Sequence, residues 1–300
     1  MKQNMSATTS MVGATLLFAT MTLCVKLASI QYSTGEMVFY RGVVGALMMV
    51  FLAHKQGGTL HTNVPALHFW RSLTGVSSLG LWFYAIAELP LATAVTLNYM
   101  SPIWMALLLL GGTFLLGTSR VNGWLLVTVL AGFAGVVCVL QPVMAGDQLW
   151  GGLMGLISGL FAAMAYLQVS ALGRAGEPDG RVVFYFSMGS IAGGGLAATL
   201  SGGWHAHTLH GVGVLLAVGI LATLAQFLLT RAYRTGNMLV NASLQYLGIV
   251  WAFLYGVLLL DDPVTALALF GMSLIVLAGI TAARLREPRV IHEVENDFTG

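Results

Sequence analysis

Ten apolar runs, each close to the length of a bilayer crossing, constrain this chain more than any motif in it. A crossing helix needs about 20 consecutive apolar residues. Runs of that kind cover 11–30, 37–53, 69–87, 91–114, 121–140, 151–171, 182–200, 211–231, 238–259 and 264–283. In lipid the backbone must satisfy its own hydrogen bonds, so such runs read as helices. Turn-forming hinges separate them: Glu88-Leu89-Pro90, Gln141-Pro142, Gly176-Glu177-Pro178-Asp179-Gly180 and Asp261-Asp262-Pro263. In the last hinge Asp262 reads as a helix cap and Pro263 as the first helical residue. Of 300 residues 57% are hydrophobic and 8% charged, against roughly a quarter charged in a soluble domain. The expectation is an all-α integral membrane protein with no separate soluble domain. The lipid bilayer is its first partner.

The cations set the orientation. Ten spans put both termini on one side, and Lys2, Lys55, Arg71, Arg120, Arg174, Arg181, Arg231, Arg234, Arg284, Arg286 and Arg289 fall there. The remaining two of the 13 Lys and Arg residues, Lys26 and Arg41, sit within the first two spans. The opposite loops carry Glu36, Glu88, Asp147, Asp261 and Asp262. By the positive-inside rule both termini are cytoplasmic. The basic residues form no soluble cluster, so nucleic acid is excluded as a partner.

Two stretches repeat. Ala94-Val95-Thr96-Leu97-Asn98-Tyr99-Met100-Ser101-Pro102-Ile103-Trp104 has a faint copy in Asn241-Ala242-Ser243-Leu244-Gln245-Tyr246-Leu247-Gly248-Ile249-Val250-Trp251. Phe18-Ala19-Thr20-Met21 is echoed by Phe161-Ala162-Ala163-Met164, Phe39-Tyr40 by Phe184-Tyr185, and Gly135 by Gly279. The chain therefore divides into a five-span unit at 11–140, a second at 151–283 and a solvated tail at 284–300. Five is odd, so the second unit enters from the opposite side, as an inverted repeat.

At these residues the sequence resembles the EamA-like branch of the drug/metabolite transporter superfamily. Tyr40-Arg41-Gly42, Leu89-Pro90-Leu91-Ala92-Thr93-Ala94 leading into Ser101-Pro102-Ile103-Trp104, and the closing Asp261-Asp262-Pro263…Gly271…Gly279 carry the likeness across about residues 11–284. The resemblance implies ten helices, both ends cytoplasmic in a bacterial inner (cell) membrane, a central cavity and a small-molecule substrate. A Glu that the family often places before spans 5 and 10 is absent here: those places read Gly117-Thr118 and Asp261-Asp262.

An amide stranded in hydrocarbon costs several kcal/mol, so it faces a partner or a wet cavity. Asn98 and Gln245, with Tyr99 and Tyr246, are thus the foremost substrate-binding candidates; helix-to-helix bonding is the alternative. Pro102 can loosen span 4 and free a carbonyl. Trp82, Phe83, Tyr84, Trp104, Tyr166 and Trp251 could line the cavity or pack in the core. Gln168 and Gln226 are further polar candidates. Lys26 and Arg41 mark a substrate path toward the outside or snorkel to the surface. Their counterparts, Val169 and Phe186, are uncharged. The row Gly151, Gly155, Gly159 packs a helix closely, within the bundle or between the protomers of a homodimer. His205, His207 and His210 read as a polar loop rather than a metal site, and Cys24 and Cys138 as small buried hydrophobes.

No H-E-x-x-H, Walker or G-x-S-x-G context occurs, so no enzyme and no cofactor are expected. No carboxylate lies at midmembrane, which removes one proton-coupling scheme. The sequence reads as a secondary transporter working by alternating access on an amino-acid-like or nucleoside-like metabolite. A multidrug or organic-cation exporter and a passive channel are the alternatives.

Overall fold

The computed structural model describes residues 6–89, 91–116, 123–141, 148–200, 202–259 and 264–285. Its regular elements are twelve helices: α1 (Ala7–Ala28), α2 (Thr34–Lys55), α3 (Pro65–Glu88), α4 (Leu91–Asn98), α5 (Ser101–Leu116), α6 (Gly123–Leu140), α7 (Leu149–Arg174), α8 (Asp179–Leu200), α9 (Leu209–Thr235), α10 (Met238–Gln245), α11 (Leu247–Leu259) and α12 (Ala266–Arg284). Two spans are each broken into a pair, α4 with α5 and α10 with α11, so twelve helices make ten crossings.

Local chemistry sets the ends. Ser33 and Glu36 form a reciprocal capping box that starts α2. Pro65 opens α3, where its missing N–H costs nothing. Asn237 caps α10 by accepting from the Leu239 and Val240 amides. Thr265 caps α12, accepting from Ala268 N. The cap expected at Asp262 is thus three residues further on; Asp262 and Pro263 lie outside the described residues, as does the tail beyond Leu285.

Nine crossings among the described residues are long and apolar enough to span a membrane. α3 is long enough, at 24 residues, but too polar to qualify by composition. Its polar side chains bond into neighbours instead: Ser72 Oγ donates to Tyr185 O of α8, Thr74 Oγ1 to Gln168 Oε1 and Ser78 Oγ to Ser158 O, both on α7. The lipid-facing surface is apolar, with Leu47, Phe51, Leu130, Leu258 and Phe270 exposed. In a bilayer such side chains are solvated by acyl chains, and packing rather than water expulsion holds the helices together.

The closest helix pairs are α2 with α8, α3 with α7, α1 with α9 and α6 with α12. Exchanging span n for span n+5 carries the α1–α9 pair into α7–α3 and leaves the other two pairs on themselves. One face carries the start of α1 and the loops 56–64, 175–178 and 236–237. It is called the terminus face below.

Candidate functional site

The two broken spans meet at the centre. α4 and α10 are eight residues each, and they enter from opposite faces. At 1.5 Å per residue both breaks lie roughly 10 Å deep. In span 4 the cause is Pro102, which has no N–H for the Asn98 carbonyl and whose ring crowds it. Gly159 of α7 makes room for the released backbone: a Cβ there would stand 2.9 Å from Leu97 O and 3.2 Å from Asn98 O. Span 9 has no proline and breaks beside Gly248, where the Tyr99 hydroxyl approaches so closely that a Cβ would be 2.7 Å away. The rings of Tyr99 and Tyr246 stack at 6.3 Å and 29°. Residues at matching places in the repeat thus touch each other.

The two amides go separate ways. Asn98 Nδ2 donates to Ser158 Oγ of α7 at 3.1 Å, and Ser158 Oγ donates in turn to Gly155 O. Gln245 accepts from the Tyr233 hydroxyl at 3.0 Å and donates to the Tyr166 hydroxyl at 3.4 Å. Tyr166 and Tyr233 lie parallel, 5.0 Å apart. Gln245 therefore joins α10, α9 and α7 in one polar cluster. Tyr246 is fully buried against Val136, Ile249 and Ile275. Its hydroxyl has no partner among the described residues.

Beside this cluster lie two guanidiniums. Arg41 Cζ of α2 stands 5.4 Å from the Phe186 ring centroid, and Arg71 Cζ of α3 stands 4.1 Å from the same centroid. Phe186 occupies the position matching Arg41 in the repeat. Arg71 is 3% exposed and its Nε has no hydrogen-bond partner among the described residues. Sequence reading counts Arg71 among the cations of the terminus side, and the structure adds that it is buried. α3 begins at Pro65, so Arg71 lies nearly two turns inside the helix, turned into the bundle. Tyr166 is within electrostatic reach of both arginines. A narrow cavity runs between α2, α8 and α9, lined by Arg41, Phe186, Ser190, Thr223 and Gln226. The hydroxyls of Ser190 and Thr223 donate to their own helices, which leaves Arg41 and Gln226 as its donors.

The other candidates are dispersed. Gln168 accepts from Thr74 near Arg71. Trp251 Nε1 donates to Thr15 of α1 at 3.2 Å. Trp104 packs on the main core, Trp82 is half-buried, and Tyr84 is 41% exposed beside the fully buried Ala85. The side chains of Lys26 and Phe83 lie outside the described structure. The glycine row packs inside the bundle, against Glu88, Leu89, Leu97 and the span-4 break, and a protomer interface is not its use here. Arg71, Tyr233 and Ser158 were not singled out from sequence. Pro65, a residue suited to the first turn of a helix, is the signal that could have found Arg71.

Each face carries a polar tie. On the terminus face Glu177 accepts from Thr62 Oγ1 at 2.9 Å and from Arg181 at 3.1 Å, and His68 lies 3.2 Å away. Burial pushes the Glu177 carboxyl up, but these donors outweigh it and hold it below the usual carboxylate range. Arg181 and Tyr185 also donate to the carbonyls of Thr59 and Leu60. On the opposite face fully buried Glu36 accepts from the His205 amide at 2.6 Å, with His205 Nδ1 at 2.7 Å. His207 bridges the hydroxyls of Tyr40 and Tyr32. These partners occupy two of the three loop histidines. No metal-holding group is found among the described residues.

Ten crossings, two of them broken at the centre, between faces that each close on a polar tie, define an all-α integral membrane protein of the transporter class. The chain matches the EamA-like transporter family over residues 5–141. The pseudopaline exporter CntI of Pseudomonas aeruginosa is 31% identical over 280 residues, 91% of this chain and 94% of the exporter. The chain therefore belongs to the EamA-like transporter family, within the drug/metabolite transporter superfamily, and is a transporter of small metabolites. A riboflavin transporter of Rhizobium johnstonii is 27% identical over 62% of this chain and 60% of its own length. A crystal structure of a protein 20% identical superposes with a TM-score of 0.80, over 93% of this chain and 98% of the other; that likeness is one of fold.

Proposed function

We propose that the chain is a secondary-active transporter that carries a small amino-acid-like or nucleoside-like metabolite across a bacterial inner membrane by alternating access. The units 11–140 and 151–283 rock against each other about the central breaks, and both termini are cytoplasmic. The observation that supports this best is the meeting of the two breaks at Tyr99 and Tyr246, at equal depth from opposite faces. Inverted-repeat transporters hold substrate at such discontinuities, because freed backbone is tolerated only where it meets protein or a wet cavity. Gln245, Tyr166, Gln168 and Gln226 supply donors and acceptors around it. The test is counterflow in proteoliposomes preloaded with a metabolite extract. Saturable uptake, stimulated by substrate on the far side, is the expected result. Unsaturable flux that tracks only the gradient would mean a channel and would sink the proposal.

A further inference from the structure

We infer that Arg41 and Arg71 form one oxyanion subsite on the ring of Phe186, and that the carried metabolite bears a carboxylate or phosphate group which this pair holds. The inference rests on the transport reading above and names the chemistry of its substrate.

Two other cations among the described residues have carboxylate partners: Arg181 pairs with Glu177, and Arg234 with Asp179. Arg41 and Arg71 belong to none of the ion pairs among the described residues. Arg71 is buried and Arg41 half-buried; a cation withdrawn from water with no counter-charge is unfavourable, and two of them around one ring repel each other as well. What surrounds them is neutral: Tyr166, Gln168 and Gln226 carry no charge. Arg71 is nevertheless held in place. Its guanidinium lies against Gly75, where a Cβ would crowd it, and over the ring of Phe186. The fixed fork keeps an Nε–H that no group among the described residues accepts. A planar guanidinium with unused donors matches the two oxygens of a carboxylate or phosphate in a bidentate way. Arg41 opens on the cavity with Gln226, so the group arrives from that side and meets Arg41 first. The same pair repels organic cations, which argues against the organic-cation alternative.

The test is thermal unfolding of the purified chain in detergent, with matched probes. Succinate is set against succinamide, citrate against its triamide, and glycerol 3-phosphate against glycerol. A ligand of the native state raises the melting temperature. At least one oxyanion should raise Tm by a few degrees while its neutral partner does not, and the carboxylate and phosphate arms tell which group is preferred. Arg41→Gln and Arg71→Gln should each abolish that rise. Arg71→Lys, which keeps charge but not the fork, should weaken it tenfold or more in apparent affinity. Lys55→Gln, at the end of α2, should leave it intact. A purely structural role for Arg71 would instead lower Tm in Arg71→Gln without probe and leave its response to probe unchanged. Equal shifts from neutral partners, no shift from any oxyanion, or retained shifts in both Gln variants overturn the inference. If that happens while proteoliposomes still show saturable counterflow of a neutral metabolite, the transport reading stands and only the subsite falls.

Discussion

Gln245 is the residue whose loss the bundle should feel most. It accepts from Tyr233, which is fully buried, and reaches Tyr166. Gln245→Leu strands the Tyr233 hydroxyl, at about 1–3 kcal/mol. Asn98→Leu removes a single bond between helices, worth about 0.6 kcal/mol in membrane proteins, and Ser158 keeps Gly155 O as its acceptor. Thermal unfolding should therefore show the larger loss for Gln245→Leu, with transport falling in both; equal losses would mean the cluster is not bonded as described. Tyr246 runs the other way. Its buried hydroxyl has no partner among the described residues, so Tyr246→Phe should leave Tm unchanged or raised, with transport retained. Lost transport at full stability would show that the hydroxyl meets substrate in another state. At this scale the sequence was legible where a polar side chain interrupted an apolar run, as at Asn98 and Gln245. It was not legible at Arg71, because the depth of a residue depends on where its helix begins. It was silent on which amide bonds to which neighbour, since that depends on helices distant in sequence.

The two broken spans carry the argument at the scale of elements. Span 4 announces its break through Pro102, which removes a donor for the Asn98 carbonyl. Span 9 has Gly248 and Ile249 at the matching places, and no single residue there forces a break. The likeness to span 4 was the only signal for it. α3 shows the opposite case: its hydropathy fell short, yet the hydroxyls of Ser72, Thr74 and Ser78 bond into α7 and α8, so it crosses with the rest. The span-4 break depends on α7 approaching its backbone at Gly159. Gly159→Val places a Cβ against the carbonyls of Leu97 and Asn98, and backbone cannot swing away as a side-chain end can. Gly159→Val should reduce the yield of folded protein severely in a fluorescence size-exclusion assay. Gly213→Ala on α9, where nothing lies within 4 Å, should not. Normal yield of Gly159→Val would mean that α7 and span 4 pack less closely than this.

At the scale of the whole molecule, the two faces are closed by related parts of the two halves. The alignment that matches Tyr40 with Tyr185 also sets Glu36 opposite Arg181. Tyr40 and Glu36, at the start of α2, tether the loop after α8. Tyr185 and Arg181, at the start of α8, tether the loop after α2. Each of the proposed units thus holds down a loop of the other, one on each face, and the alternating access proposed above would require that they release in turn. The terminus-face tie passes through Glu177, whose folded-state carboxyl titrates below its unfolded value. A depressed carboxyl contributes stability that is complete above the unfolded value and lost as pH falls through the folded one. Acidification below the ordinary carboxyl range should therefore loosen the terminus face. At neutral pH Glu177→Gln should do the same, because the amide keeps the shape and loses the charge that holds Arg181. Glu36→Gln should loosen the opposite face, where His205 is its partner. The readout is a Ser190→Cys reporter in the central cavity, in a background lacking Cys24 and Cys138, labelled in sealed vesicles of known orientation with a membrane-impermeant thiol reagent. Glu177→Gln should speed labelling from the terminus face alone, and Glu36→Gln from the opposite face alone. Faster labelling from both faces in either variant would describe a leak rather than a gate. Acceleration from the wrong face would mean that these ties do not set the balance between the two states.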